Sequence, residues 1–260
     1  MKYEHILVQR DGAALVARFN RPKVRNAIST QVQDELILAA EQAEADPQVR
    51  AMIITGNTEF FSAGADLNDA LAIAGPAEGV AYFKRWHRLC STLETLAKPV
   101  LAAIEGFCMT GGCELALACD IRVGAEGSSY AITSSKIGTV AGAGGTQRLP
   151  RIVGPAKALE IMFAGDPVDA LEAYRIGLIN RLAPKGQALA EAKKMVQVYE
   201  DRAPLSLAWI KRSVHRGMQM DLASALEFET FLVSTIYQSA DRKEGIGAFL
   251  GKRKAKFGGK

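Results

Sequence analysis

Two glycine-rich stretches carry the residue types and the spacing best suited to chemistry in this chain. The first is FSAGADL at residues 61–67, and the second is TGGCE at residues 110–114. Each places small residues where the chain leaves a predicted strand and turns toward a helix, so free backbone N–H groups collect beside a partially positive helix N-terminus. Two such N–H groups that converge on one point would form an oxyanion hole. Losing one donor of such a hole typically costs ~3–4 kcal/mol of barrier.

A single carboxylate, Glu114, follows the second turn. Its neighbours Cys113, Leu115, Ala116 and Leu117 predict an apolar, largely buried helix. A glutamate near any helix N-terminus is mildly favoured. A buried carboxylate, however, usually has a raised pKa suited to proton transfer, which favours a catalytic role here. An oxyanion hole beside a base predicts an enzyme that stabilises the enolate of an acyl thioester.

The elements that must position these turns can be predicted along the first half of the chain. An Asp-Gly turn at residues 11–12 closes a predicted hairpin, and Ser29 is suited to cap a helix that runs to about residue 45. The apolar runs 51–55 and 100–104 predict buried strands that feed the two glycine turns. A helix over about 81–96 separates them, a helix over 113–118 follows the second turn, and a strand resumes at 121–123.

The second half of the chain is predicted to be mostly helical. Helices are expected over about 155–163, 187–201, 204–216, 221–239 and 241–250, with one short interruption at residues 177–180. We therefore expect an α/β core over residues 1–195 and a helical region over residues 196–260. This helical end carries apolar residues that a single core would not absorb, which predicts self-association: Leu226, Phe228, Phe231, Leu232 and Ile236.

The composition is typical of a soluble globular protein. The chain has 260 residues, of which 48% are hydrophobic and 23% charged, with a formal net charge of +4. Lys and Arg are scattered except at the C-terminal end, so no nucleic acid is expected as a partner. Four cysteines without paired spacing predict buried, reduced thiols rather than disulfides or a metal site. The first residues lack the apolar core of a signal peptide and no run could span a membrane, so a cytoplasmic protein is expected.

These motifs, in this order and spacing, resemble the enoyl-CoA hydratase/isomerase (crotonase) family over essentially the whole chain. The resemblance implies a crotonase-like spiral of ββα repeats, followed by a helical C-terminal trimerisation region, with trimers that often pair into hexamers. The matching stretches, in chain order, are Asn20-Arg21-Pro22 with Asn26-Ala27, residues 61–67, residues 111–116, Cys119-Asp120, residues 142–151, Ala173 with residues 177–180, Glu244-Gly245, and residues 248–250 before the basic tail.

The resemblance also implies the substrate and the site residues. The substrate would be an acyl-CoA thioester of fatty acid metabolism, with no separate cofactor and no metal, because coenzyme A is part of the substrate. The backbone N–H groups of Ala65 and Gly111 match the oxyanion hole, and Glu114 matches the glutamate that activates water. Contacts to the substrate or its CoA are implied for Ala27, Ala63, Asp66, Leu67 and Lys256. The carboxylate of Asp66 is better interpreted as the cap of the next helix.

The second glutamate of the hydratases is absent. The resemblance places Ser134 at that position, within the run YAITSSKI at residues 130–137, which contains no acid. The hydroxyls of Ser134 and Ser135 either fill space or hold the water or substrate oxygen that a glutamate would otherwise position. Three functions follow from this pattern. Hydration is preferred, a single-base double-bond isomerase comes second, and a non-catalytic acyl-CoA-binding or RNA-binding protein comes third.

The glycines at residues 142–145 suggest a nucleotide loop, but the pattern is incomplete. Gln147 stands where a GxGxxG motif needs its third glycine, and no predicted strand leads into the loop. We therefore expect no dinucleotide site. Arg148 is expected to anchor backbone or carboxylate groups in this loop.

Overall fold

The structure, a computed structural model, describes residues 3–260. Met1 and Lys2, the start of the segment in which no signal peptide is expected, lie outside the described residues. The strands are β1 Ile6–Asp11, β2 Ala14–Phe19, β3 Ala51–Thr55, β4 Phe60–Ser62, β5 Val100–Ile104, β6 Phe107–Met109, β7 Ile121–Ala125, β8 Ser129–Ala131, β9 Val168–Asp169 and β10 Arg181–Ala183.

The helices follow the predicted order, with two short 3-10 helices at Pro22–Val24 and Ser134–Ile137. The α-helices are α1 Thr30–Ala45, α2 Leu67–Leu71, α3 Pro76–Thr95, α4 Gly111–Leu117, α5 Gly145–Val153, α6 Pro155–Ala164, α7 Ala170–Arg175, α8 Ala188–Glu200, α9 Pro204–Gly217, α10 Leu222–Ile236 and α11 Ala240–Leu250.

Successive strands alternate between two sheets. The larger sheet has the order β1-β2-β3-β5-β7-β10, and the smaller has the order β4-β6-β8-β9. The chain therefore passes from β3 to β4, from β5 to β6 and from β7 to β8, and a helix follows each of these pairs. Among the strand pairs within residues 3–260, only β1–β2 and β8–β9 are antiparallel. This is the spiral of ββα repeats that the sequence predicts, so the fold class is confirmed.

Both faces of the larger sheet are covered by helices. In β3, Met52 and Ile54 point into the core that contains α1 and α3, whereas Ala51 and Ile53 point toward α8. Successive side chains of a strand point to opposite faces of the sheet. Because both faces are covered, every residue of β3 and β5 is buried. This explains why these two strands read as continuous apolar runs.

The structure corrects the path from each buried strand to its glycine turn. The sequence analysis predicted that β3 and β5 lead directly into the turns. In the structure, the short strand β4 lies between β3 and the first turn, and the short strand β6 lies between β5 and the second turn. Strands β4 and β6 pair in parallel, so the two turns emerge at the same edge of the smaller sheet. Three-residue strands have too little periodicity to be recognised from sequence.

The C-terminal helices α9 to α11 follow the core as predicted. The expected boundary between residues 195 and 196 lies within α8, a continuous helix that covers the larger sheet. Helix α9 is tied to the core by Lys211, which pairs with Asp120 at 2.8 Å. The four cysteines are buried and free, as predicted.

Candidate active site

The first glycine turn leaves the N–H group of Ala65 without an acceptor. It connects β4 to α2, and Gly64 adopts a φ of +109°, which a side chain would strain. The Ile28 N–H group donates to the Gly64 carbonyl at 2.8 Å, and the Asp66 N–H group donates to the Ile28 carbonyl at 3.0 Å. This pairing uses the groups on either side of Ala65. Within residues 3–260, no carbonyl accepts the Ala65 N–H group itself.

The second turn has a strained residue directly before Gly111. Thr110 adopts φ 39° and ψ −109°, a conformation that costs a β-branched residue of the order of 1–3 kcal/mol. Its N–H group donates to the Ala131 carbonyl at 2.7 Å, and its hydroxyl lies 2.7 Å from the Thr133 hydroxyl. These bonds hold Thr110 in place, and its carbonyl, in the peptide group that carries the Gly111 N–H, accepts the Glu114 N–H group at 2.8 Å. As the first residue of α4, Gly111 has no acceptor for this group in its own helix.

The two turns bring these N–H groups together. A Cβ atom built on Gly111 would lie 2.9 Å from the Ala65 nitrogen, and one built on Gly64 would lie 3.3 Å from the Gly111 nitrogen. Only glycine at both positions permits this approach. The tip of the Trp86 indole, 3.0 Å from the same point on Gly111, closes one side. The arrangement could stabilise a negatively charged oxygen through two backbone donors.

Glu114 lies one turn into α4 and is held by the loop that precedes α5. Its Oε1 accepts the N–H groups of Ala143 and Gly145, both at 2.8 Å. No protein donor in the described residues contacts Oε2. The side chain is thus fixed through one oxygen, and the other oxygen is left for water or substrate.

Burial dominates the electrostatics of Glu114. The residue is 3% exposed, and desolvation of its carboxyl raises its pKa. The two backbone N–H groups and the Arg148 guanidinium favour the carboxylate and oppose this shift, but the pKa remains above its ordinary value. A raised pKa suits a group that must both accept and return a proton.

Helix α3 and Arg148 support the loop that binds Glu114. Arg148 donates to both carboxylate oxygens of Glu94, at 2.6 and 3.0 Å, and to the Ala143 carbonyl at 3.0 Å. The Phe83 ring packs against Gly142, where a Cβ atom would lie 2.2 Å from the ring. The predicted anchoring role of Arg148 is thereby observed.

Ser134 begins the 3-10 helix beside the second turn and is 4% exposed. The residue before it, Thr133, donates its N–H group to the Thr110 hydroxyl at 3.2 Å. Ser134 is therefore attached through one residue to the turn that carries Gly111. Ser135 is exposed, and its hydroxyl donates to the Phe163 carbonyl, which makes Ser134 the buried member of the pair.

Three of the five residues implied in contacts to the substrate or its CoA lie close to the first turn. Ala27 and Ala63 lie on neighbouring segments, since the Ala63 N–H group donates to the Arg25 carbonyl at 2.9 Å. Leu67 is 58% exposed at the start of α2. These three residues surround the first turn.

Asp66 has the structural role that the sequence favours. It accepts the Asn68 N–H group at 3.1 Å as the cap of α2, and it pairs with Arg21 at 2.9 Å. Burial raises the pKa of its carboxyl, but the hydrogen bonds from Arg21 and Asn68 outweigh burial and leave the pKa below its ordinary value.

Lys256 is not brought to this site by the contacts of the single chain. It is exposed in the tail after α11, where its N–H group donates to Glu244 at 2.9 Å. Lys254, two residues earlier, pairs with Asp201 beside the end of α8. The tail is thus attached to the C-terminal helices.

The sequence analysis did not assign Ala143, Gly145 and Trp86 to the site. Residues 142–151 were counted among the family matches and the glycines were rejected as a nucleotide motif, but their donation of backbone N–H groups to Glu114 was not predicted. The clustering of glycines outside any strand was the available signal. In the part of the chain that the structure describes, no three His, Cys, Asp or Glu side chains are grouped so as to hold a metal, and no helix is long and apolar enough to cross a membrane.

Comparison with known proteins identifies the family and agrees with the fold. The family model described as enoyl-CoA hydratase/isomerase matches residues 9–260. The chain is 36% identical to a crotonyl-CoA hydratase of Syntrophomonas wolfei, over 99% of both chains. It is 34% identical to a short-chain-enoyl-CoA hydratase of Clostridium acetobutylicum, over 98% of this chain and 97% of the relative. A crystal structure of an enoyl-CoA hydratase subunit from Geobacillus kaustophilus superimposes with a TM-score of 0.94 at 32% identity, covering both chains completely. The chain belongs to the enoyl-CoA hydratase/isomerase family of enzymes.

Proposed function

We propose that the chain adds water to the double bond of an α,β-unsaturated acyl-CoA. One observation carries this proposal. Glu114, a buried glutamate fixed through one carboxylate oxygen, lies four residues after Thr110. The two glycine turns bring the N–H groups of Ala65 and Gly111 close together, and neither group has an acceptor within residues 3–260. The hydratase names of the relatives support the same reaction. Coenzyme A belongs to the substrate in this proposal, so no resident cofactor enters the mechanism.

The reaction follows from the two oxyanion donors and the base. The thioester carbonyl oxygen binds the Ala65 and Gly111 N–H groups and draws electron density from the double bond. Glu114 takes a proton from water while the water oxygen bonds to the β-carbon, and the π electrons move onto the thioester oxygen as an enolate. The enolate then returns its electrons to the α-carbon, which accepts a proton. The N–H groups are worth most at the enolate stage, when the charge is greatest.

Ser134 determines how the α-carbon receives its proton. A serine hydroxyl is too weak an acid to replace a carboxyl group in this step. We therefore assign the proton delivery to Glu114 itself, whose raised pKa favours both halves of the exchange. Ser134 would orient water or a substrate oxygen. Because one carboxyl group must then perform both proton transfers, simple substrates are expected to react more slowly than they would with two glutamates; the loss would reach about 10²–10⁴ if Glu114 did not supply the proton.

Double-bond migration is the second candidate. One carboxylate suffices for a reaction that removes a proton at one carbon and returns it at another. Because position 134 is a serine, Glu114 is the carboxylate available for both transfers. Hydration is preferred because relatives that match over nearly the whole length are named hydratases.

Parallel assays distinguish these functions. Hydration and double-bond migration are measured on one panel of linear, branched and cyclic enoyl-CoA thioesters, with Glu114→Gln as the inactive reference. Hydration that exceeds migration and disappears in Glu114→Gln is expected. Migration without hydration would favour the isomerase. Binding without either reaction, or RNA affinity that depends on salt, would favour a non-catalytic role.

A further inference from the structure

The hydroxyl of Tyr82 is a buried polar group without a partner. Tyr82 is 8% exposed on α3, and its oxygen has no hydrogen-bond partner within residues 3–260. A buried hydroxyl that is left unpaired destabilises the folded state. The only other side chain in this condition in the described region is Gln33 on α1. A group maintained at such a cost is a candidate for a ligand contact.

Tyr82, unlike Gln33, is connected to the candidate active site by observed contacts. It precedes Trp86 by four residues, so the two side chains share one face of α3. The Trp86 indole reaches the oxyanion turn, 3.0 Å from the position of a Cβ atom on Gly111. Phe83, whose ring packs edge-on against Tyr82 at 5.1 Å, contacts Gly142 in the loop that binds Glu114. Tyr82 therefore packs beside the residues that contact the oxyanion turn and the base loop.

The electrostatic surroundings indicate what Tyr82 could bind. Burial raises the pKa of its phenol. The Trp86 indole N–H group, which lies near the hydroxyl but outside hydrogen-bond geometry, opposes this shift, and the negative charges of Asp69, Asp66 and Glu114 add to it, so the pKa stays above its ordinary value. The phenol is therefore neutral and able to donate its proton. The same three carboxylates would repel an anionic group, so a neutral oxygen acceptor fits this position better than a carboxylate.

We propose that the Tyr82 hydroxyl selects the acyl group by donating a hydrogen bond to a neutral oxygen carried on the acyl chain, such as an ether, hydroxyl or ketone oxygen. This inference rests on the proposed function in that the ligand is an acyl-CoA. An alkyl chain of equal length leaves the hydroxyl unpaired in the complex, and a site built to bond an oxygen discriminates against the analogue that lacks it.

The test compares enoyl-CoA thioesters of equal length in pairs, one alkyl and one with a neutral oxygen at successive positions beyond the β-carbon. The wild-type enzyme is expected to prefer one oxygenated member by about tenfold or more in kcat/KM. Tyr82→Phe is expected to lose that preference while kcat/KM for the alkyl partner changes little. Tyr130→Phe is the matched control, because its buried hydroxyl is already paired with Ser128 at 2.9 Å. That variant should keep the preference.

Thermal unfolding separates recognition from a structural role. Removal of the unpaired Tyr82 hydroxyl should leave the midpoint unchanged or raise it, whereas Tyr130→Phe should lower it. Any of three results would overturn the inference. These are a wild type without preference for an oxygenated substrate, a Tyr82→Phe enzyme that keeps that preference, and a Tyr82→Phe enzyme that loses kcat/KM equally on both members of a pair. If no thioester is turned over, the proposed function fails by itself. Calorimetric binding of the same pairs to both proteins then decides the role of Tyr82 by the same criterion.

Discussion

Replacing Glu114 with glutamine keeps the shape of the side chain and removes its ability to take a proton. The glutamine Oε1 can still accept the N–H groups of Ala143 and Gly145, so the loop should remain in place. Loss of a general base typically costs about 10²–10⁴ in rate, equivalent to roughly 3–5 kcal/mol of barrier. We expect kcat on an enoyl-CoA to fall by this factor, with the affinity for the thioester nearly unchanged.

The raised pKa of Glu114 also predicts how kcat/KM and the stability of the variant depend on pH. Because the pKa of Glu114 is raised above its ordinary value of 4.5, the acid limb of kcat/KM should lie above that pH and disappear with the variant. The folded state binds the Glu114 proton more tightly than the unfolded state does. Its contribution to stability is therefore fully present below the ordinary pKa and is lost as pH rises through the raised one. Glu114→Gln should thus be the more stable protein at neutral pH, with no such advantage in acid.

The assays are the loss of the conjugated enoyl thioester absorbance, calorimetric binding, and denaturant unfolding at several pH values. Glu41→Gln, an exposed substitution on α1, is the matched control and should change none of them. A folded Glu114→Gln enzyme that retains more than about a tenth of the wild-type rate would refute the assignment of Glu114 as the base, since a general base contributes at least about 10².

Three further predictions test other parts of the structure. Ser134→Glu should increase hydration of short unbranched enoyl-CoAs, because a second carboxyl could protonate the α-carbon; no gain with the new carboxyl correctly placed in a crystal structure would move weight to the isomerase. Gly145→Ala should lower kcat at least tenfold with the fold intact by circular dichroism, because the new Cβ atom would lie 3.0 Å from Glu114 Oε1, whereas Gly247→Ala, with open space around it, should not; equal rates would show that the loop tolerates the shift. The protein should sediment as a trimer or hexamer, because α10 and α11 expose Phe231 by 65% and Phe249 by 83%, and a stable monomer at micromolar concentration would contradict this.

Local patterns were enough to predict most of the secondary structure. The hairpin closed at Gly12, the Ser29 cap of α1 and the apolar runs of β3 and β5 are all observed. Each depends on residues close together in the chain. Strands β4 and β6 were missed because three residues carry no usable period, and they exist through pairing with each other across more than forty residues.

By itself, the sequence determined the family, and it predicted the two turns with their free N–H groups and Glu114 as the base beside them. It also showed that Ser134 stands where a second acid is expected. Tertiary structure alone decided that the turns lie within contact distance, that the loop at residues 142–145 supplies the donors to Glu114, and that Tyr82 remains unpaired near them. The physical reason is that a type of residue limits which bonds it can make, whereas the distance between groups far apart in sequence is set by how strands pair and helices pack.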